Sequence, residues 1–256
     1  MGRQGCRKGK LERFIGSDMK QCNFVCMGKG GVGKSFVAWV LAQYGIHMRR
    51  DGYFADTDPT NATFAGYGGL NVQHINILNS EMKIDESKFD GLMDQLLQRE
   101  GYSVVDTGSP SFLPMMNYVV ESGVFDVMKE AGHQVVIHTP LVGGPAMQET
   151  VLGLKSIFES TNTDVVVWEN DYFGPVEQDG QRFSDSKIYA KYRSRILGVV
   201  RIRQRSADTF GKDIRSLLSQ RLIFNDMDTA DFYIMQKQRL TMIRRELFEQ
   251  LEAIGL

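Results

Sequence analysis

One short segment of the chain carries glycines, two lysines and a serine at close spacing: Gly28-Lys29-Gly30-Gly31-Val32-Gly33-Lys34-Ser35. It fits the pattern G-x-x-x-x-G-K-[S/T], and it lies between a predicted strand and a predicted helix. Glycines let successive backbone N–H groups turn toward an anion, and the helix adds its positive N-terminal end. Lys34 is then expected to bind the outer phosphates of a nucleotide, and the Ser35 hydroxyl to ligate Mg²⁺. The alternative, a chance glycine turn, does not account for the flanking elements.

Aspartates follow two apolar runs further along the chain. Asp56 ends the run Gly52–Asp56, and Asp58 comes two residues later in the sequence DTDPTNAT. Asp106 ends the run Tyr102–Asp106. Phosphoryl transfer needs a carboxylate to hold the metal and a group that positions the attacking water. We therefore place Asp56 and Asp106 near Mg²⁺. An exposed turn containing a proline is the alternative for the DTDP segment.

Short apolar runs alternate with longer segments of helical period through most of the chain. Alternation of this kind is typical of a parallel sheet covered on both faces, so we predict a doubly wound α/β fold with a mostly parallel sheet. A single domain is predicted over residues 19–256, and residues 1–18 are expected to be a disordered arm or a segment added in cloning. Strands are predicted at Cys22–Met27, Gly52–Asp56, Tyr102–Asp106, Gln134–His138, Asp164–Trp168 and Ile196–Ile202, and helices at Lys34–Met48, Glu86–Glu100, Leu113–Lys129, Ala146–Glu159, Asp208–Gln220 and about Ala230–Leu251.

Composition excludes several classes of protein. The net charge is −1, so no overall field drives the chain onto nucleic acid or an acidic membrane. The three cysteines have no paired spacing, which argues against a disulfide framework and favours a reducing, cytoplasmic compartment. No run of eighteen apolar residues predicts a membrane span.

One local segment is strongly basic. Nine lysines and arginines against two aspartates lie between Lys191 and Arg221. Clustered cations neutralise DNA phosphates without reading sequence, so this segment could bind DNA non-specifically. The alternative is that Arg201, Arg203 and Arg205 alternate along one exposed strand face and serve only to keep that face hydrated.

The run KGGVGKS, residues 29–35, resembles the deviant Walker A motif of the ParA/MinD group of P-loop ATPases. The resemblance implies that Lys29 reaches across a homodimer to the partner's ATP, so that ATP controls dimerisation. It also implies that Asp58 activates the attacking water, which with Lys29 and Lys34 completes the catalytic set. Residues 107–114 would form the switch loop, although TGSPSFLP differs from the usual D-T-P-P.

The resemblance also bears on the nucleotide base. Guanine-specific relatives carry Asn-Lys-x-Asp after a late strand, and here Phe173 stands in place of that aspartate. ATP is therefore favoured over GTP. The expected cofactor-binding residues are the loop from Gly28 to Ser35, Phe36 beside it, and Asn170, for which an ordinary turn role is the alternative.

A longer stretch resembles one branch of the group more specifically. GKGGVGKSFVAWVLAQY together with DTDPTNATFAGYGGLNV is similar to plasmid conjugal-transfer and plasmid-stability ATPases of the TraL/StbB type. This implies a Mg-ATP-dependent dimerising switch in plasmid stability, positioning or transfer, with a plasmid-encoded partner. The alternatives are a metabolic enzyme of the same fold and a nucleotide-sensing module without significant hydrolysis. Cluster-bearing reductases and metal pumps of the group need later cysteines, whereas all three here precede Val32.

Overall fold

A computed structural model describes residues 20–256, and the expectation for residues 1–18 lies outside this range. Seven strands form one sheet in the spatial order β3-β2-β4-β1-β5-β6-β9, and every neighbouring pair is parallel. A separate two-stranded antiparallel hairpin is formed by β7 and β8. The strands are β1 Gln21–Val25, β2 Gly52–Asp56, β3 Gln73–His74, β4 Tyr102–Asp106, β5 Gln134–Val142, β6 Asp164–Asn170, β7 Glu177–Gln178, β8 Gln181–Arg182 and β9 Ile196–Ile202.

Helices cover both faces of the sheet. One apolar cluster joins one face to α2 through α5, and a second joins the other face to α1, α7 and α8. The predicted doubly wound α/β fold is confirmed. The helices are α1 Lys34–His47, α2 Lys88–Leu97, α3 Phe112–Ser122, α4 Val124–Glu130, α5 Met147–Ser160, α6 Lys187–Tyr192, α7 Phe210–Ser219 and α8 Ile234–Ala253.

Strand register brings the predicted acidic residues together. Asp106 pairs in register with Asp56 on β2 and with Val25 on β1. The glycine-rich segment of residues 28–35 is called the phosphate loop below. Because parallel strands end at the same edge of the sheet, this loop after β1 starts beside both aspartates. The fold thereby places the loop and the acids at one edge.

Several predicted boundaries were wrong. The helix predicted at Leu113–Lys129 is divided into α3 and α4 by Gly123, whose φ of 63° is left-handed. The strand predicted at Gln134–His138 continues to Val142. Among the described residues, β5 pairs beyond His138 with β6 alone, so no second strand there requires the N–H that Pro140 lacks.

A buried polar network crosses the centre of the sheet. The Trp168 indole donates to His138 Nδ1 at 3.0 Å, and His138 Nε2 lies 3.0 Å from Asn23 Oδ1. The indole can only donate, so His138 Nδ1 accepts and Nε2 carries the hydrogen. Burial lowers the pKa of His138 to about 3, which keeps the imidazole neutral in the folded protein.

This neutral histidine makes folding sensitive to acid. The unfolded chain binds a proton at His138 near its ordinary pKa of about 6.5, whereas the folded chain does not. Stability contributed by this residue is therefore present above about pH 6.5 and is lost as pH falls toward 3. Between pH 7 and pH 5 we expect a loss of about 2 kcal/mol in the free energy of unfolding relative to His138→Gln. Urea titrations of both proteins at the two pH values measure this difference, and equal losses in both would contradict it.

Candidate functional site

The phosphate loop connects β1 to α1 as the sequence predicts. Gly31 and Gly33 have φ values of 73° and 99°, a backbone region that favours glycine. The Val37 N–H donates to the Gly33 carbonyl at 3.0 Å and closes the first turn of α1. The loop therefore has the backbone shape that an anion-binding concavity before a helix requires.

Lys34 directs its ammonium group along this loop. Its Nζ donates to the Lys29 carbonyl at 3.1 Å and to the Ser109 hydroxyl oxygen at 2.7 Å. Burial lowers the pKa of Lys34, and the charges of Asp106 and Asp58 counteract that shift. Two acidic groups thus help to keep a largely buried cation charged within the loop.

Asp106, for which a metal-binding role stays a prediction, ends β4 beside the phosphate loop. It is buried, and its Oδ1 has no hydrogen-bond partner within residues 20–256. Burial raises the pKa of Asp106 to about 8, while its interaction with the Ser35 hydroxyl opposes that rise. A buried carboxylate oxygen without a partner, beside the Ser35 hydroxyl, provides hard oxygen ligands of the kind that Mg²⁺ takes.

Across the described part of the chain, no three His, Cys, Asp or Glu residues are grouped so that they could hold one ion. Mg²⁺ commonly binds through one or two protein ligands together with substrate phosphates and water. Ser35 and Asp106 meet that requirement.

Asp56 and Asp58 shape the loop after β2. The Asp56 oxygens accept from the backbone N–H groups of Asp58 at 2.9 Å and Ala65 at 3.0 Å. Asp58 Oδ1 accepts from Thr60 N at 2.9 Å and from Asn61 N at 3.0 Å, while its Oδ2 takes part in none of these bonds. Asp56 is thus engaged in folding the loop, and its assignment as a metal residue stays a prediction. Asp58 keeps one oxygen for other chemistry.

Lys29 makes an ion pair within its own chain. Its Nζ lies 3.0 Å from Oε1 and 2.9 Å from Oε2 of Glu149, in the first turn of α5. Both side chains are substantially exposed, at 39% and 56%. Exposed pairs of this kind are worth about 0–1 kcal/mol, so the pair restrains Lys29 only weakly.

Asn170, at the end of β6, contacts the phosphate loop. Its Nδ2 donates to the Val32 carbonyl at 3.1 Å, and its Oδ1 accepts from Tyr172 N at 3.2 Å. A cavity of about 490 Å³ opens beside these residues. Among its lining residues are Gly31, Gly33, Phe36, Asn170, Phe173, Ile202 and Phe210.

Two proteins named TraL, both from Escherichia coli, match this chain over nearly its full length. One is 38% identical over 242 residues, which cover 93% of this chain and 100% of that protein. The other is 35% identical over 237 residues, which cover 91% and 98%. The chain belongs to the TraL family. No protein-family model matches it.

Solved structures agree with the fold of this TraL-family chain. The MinD cell-division ATPase of Pyrococcus furiosus has a TM-score of 0.52 at 14% identity, over 90% of this chain and 99% of that one. The septum site-determining protein MinD of Pyrococcus horikoshii, solved with Mg-ADP, has a TM-score of 0.51 at 15% identity, over 93% and 99%. The TraL relatives confirm the predicted resemblance to the TraL branch, and these two structures show that the fold is similar to that of MinD.

The basic segment of the TraL-family chain is largely bound to the chain itself. Arg201 pairs with Asp171 at 2.6 Å, and both Arg203 and Arg205 pair with Glu246. Only Arg201 of these three lies in β9, so the alternative interpretation, in which all three alternate along one strand face, was wrong. Four further arginines donate to backbone carbonyls: Arg193, Arg195, Arg215 and Arg221. DNA binding through this segment stays a prediction.

Two site residues carried no role in the sequence interpretation. Glu149 is 120 positions from Lys29, and Ser109 is 75 positions from Lys34. Ser109 falls within the predicted switch loop, and the difference between that loop and D-T-P-P was the one feature of the sequence that could have pointed to Ser109.

No helix within residues 20–256 of this TraL-family chain is long and apolar enough to cross a membrane.

Proposed function

We propose that this TraL-family chain binds and slowly hydrolyses Mg-ATP at the phosphate loop, and that ATP binding closes two copies into a homodimer that serves plasmid transfer. The observation that carries the proposal is the arrangement of Lys34. Its buried ammonium lies along the loop, and the charges of Asp106 and Asp58 act on it. The names of the relatives support transfer over stability or positioning.

Each part of the site has a role in this proposal. The loop N–H groups and Lys34 bind the phosphates. Ser35 and Asp106 would hold Mg²⁺, which supplies charge neutralisation when bound. Asp58 positions the attacking water through Oδ2, the oxygen that does not accept from Thr60 or Asn61. Phe36, Phe173 and Asn170 border the cavity that would take the base.

Lys29 links nucleotide binding to dimerisation in this proposal. It stabilises charge on the phosphoryl group bound by the second copy. To do so it must break its ion pair with Glu149, which costs little free energy because both side chains are exposed. A partner protein would act by favouring this closed dimer.

Phosphate release by the purified chain tests the proposal. We expect Mg²⁺-dependent release from ATP, abolished by EDTA, with GTP a poorer substrate because Phe173 replaces a guanine-reading aspartate. In cells, transfer of the plasmid should fail when its own gene is replaced by the Lys34→Ala form. Normal transfer with a chain that cannot bind ATP would refute the link between nucleotide and transfer.

A further inference from the structure

The hydroxyl of Ser109 lies at the position where Lys34 directs its charge. Lys34 Nζ donates to Ser109 Oγ at 2.7 Å and to the Lys29 carbonyl at 3.1 Å. An ammonium has three donors, so a further direction is left for another acceptor. Because Ser109 Oγ accepts from Lys34, its own hydrogen points elsewhere and is available to a second acceptor.

The segment before Ser109 is fixed to the sheet and to the loop after β2. Thr107 donates to the Val25 carbonyl from both N, at 3.1 Å, and Oγ1, at 2.8 Å. Gly108 passes so close to Asp58 that a Cβ on it would lie 2.6 Å from Asp58 Cγ. Only glycine fits this approach, and it ties the position of Ser109 to that of Asp58.

The segment after Ser109 is fixed beneath the phosphate loop. Ser111 Oγ donates to the Gly108 carbonyl at 3.0 Å. The Phe112 ring lies against Gly28, where a Cβ would come within 3.0 Å of Phe112 Cδ1. Ser109 Oγ itself would be 3.5 Å from a Cβ built on Gly30. The hydroxyl is therefore held over the phosphate loop from both sides.

We infer that the Ser109 hydroxyl binds the terminal phosphate of the bound triphosphate. The inference rests on the proposed function and names a specificity residue within that site. A phosphate oxygen that accepts from Lys34 brings its neighbouring oxygens close to the Ser109 hydrogen. In the D-T-P-P pattern the corresponding position is proline, which has neither a hydroxyl nor an N–H. This chain thus has a side-chain donor where that pattern has none.

A purely structural role makes a different prediction. If Ser109 only orients Lys34, removing its hydroxyl weakens the binding of ATP and of ADP alike, because Lys34 binds the phosphates of both nucleotides. If Ser109 binds the terminal phosphate, removing its hydroxyl weakens the binding of ATP but not that of ADP. The ratio of the two affinities separates these roles without depending on turnover.

Calorimetric titration of the chain with Mg-ATP and Mg-ADP measures this ratio. We expect Ser109→Ala to lower the preference for ATP over ADP by about tenfold, the effect of losing one hydrogen bond to a charged group. Ser109→Thr, which keeps a hydroxyl, should retain most of the preference. Ser122→Ala, which removes an exposed serine hydroxyl at the C-terminal end of α3, is the matched control and should leave the ratio unchanged.

The outcomes distinguish the inference from the proposed function. An unchanged ratio in Ser109→Ala, with ATP bound normally by the wild type, would overturn the inference and leave the proposed function intact. Failure of the wild type to bind either nucleotide would overturn the proposed function and this inference with it.

Discussion

Replacing Asp58 with asparagine should lower the rate of ATP hydrolysis by about 100-fold while ATP binding stays near that of the wild type. The amide keeps one oxygen, so the bonds from Thr60 and Asn61 that shape the loop can persist. It loses the carboxylate charge and the second acceptor oxygen, Oδ2, that would accept from water. Single-turnover measurement of phosphate release separates this loss from any change in affinity.

Asp58→Ala provides the comparison for that variant. Alanine also removes the acceptor for Thr60 and Asn61, so a further loss in Asp58→Ala measures the contribution of loop shape. Both variants should still form dimers with ATP. Normal turnover in Asp58→Asn would show that another residue positions the water.

Lys34→Ala should weaken ATP binding by about 100-fold and abolish turnover, because the variant loses charge-assisted hydrogen bonds to phosphate, each worth about 1.5–3 kcal/mol. The removed ammonium is buried beside the loop, and the charges of Asp106 and Asp58 act on it. Equilibrium titration with a fluorescent ATP analogue measures the change.

Lys29→Ala is the matched control for Lys34→Ala. Both changes remove a lysine from the same loop, but Lys29 points to Glu149 rather than along the loop. Monomeric Lys29→Ala should therefore bind ATP with nearly wild-type affinity. Equal losses of affinity in the two variants would contradict the separate roles assigned to them.

Much of this site could be predicted because its signals are local in sequence. The phosphate loop depends on glycines at fixed spacing, and two of them, Gly31 and Gly33, have positive φ values. Asp56 and Asp106 could be placed together because each ends an apolar run, and parallel strands end at one edge of the sheet. The doubly wound fold followed from the same alternation of apolar runs and helical segments.

Other features of the site and fold could not be predicted from the sequence. They depend on contacts between residues that are distant in sequence, or they lie in polar segments without a periodic pattern. The ion pair of Lys29 with Glu149 and the bond from Lys34 to Ser109 are set only when α5 and the loop after β4 pack beside the phosphate loop. The two-residue strand β3 is exposed at the edge of the sheet, so it carries no apolar pattern. The arginines in and after β9 looked like a cationic surface in the sequence because their partners Asp171 and Glu246 lie elsewhere in the chain.

The central claim is that ATP joins two copies of the chain through Lys29. Sedimentation velocity of the wild type and Lys29→Ala, each with ADP, with ATP and with a non-hydrolysable ATP analogue, tests it most directly. We predict dimers of the wild type with ATP and with the analogue, monomers with ADP, and monomers of Lys29→Ala with all three nucleotides. A wild-type chain that stays monomeric with every nucleotide would contradict the claim.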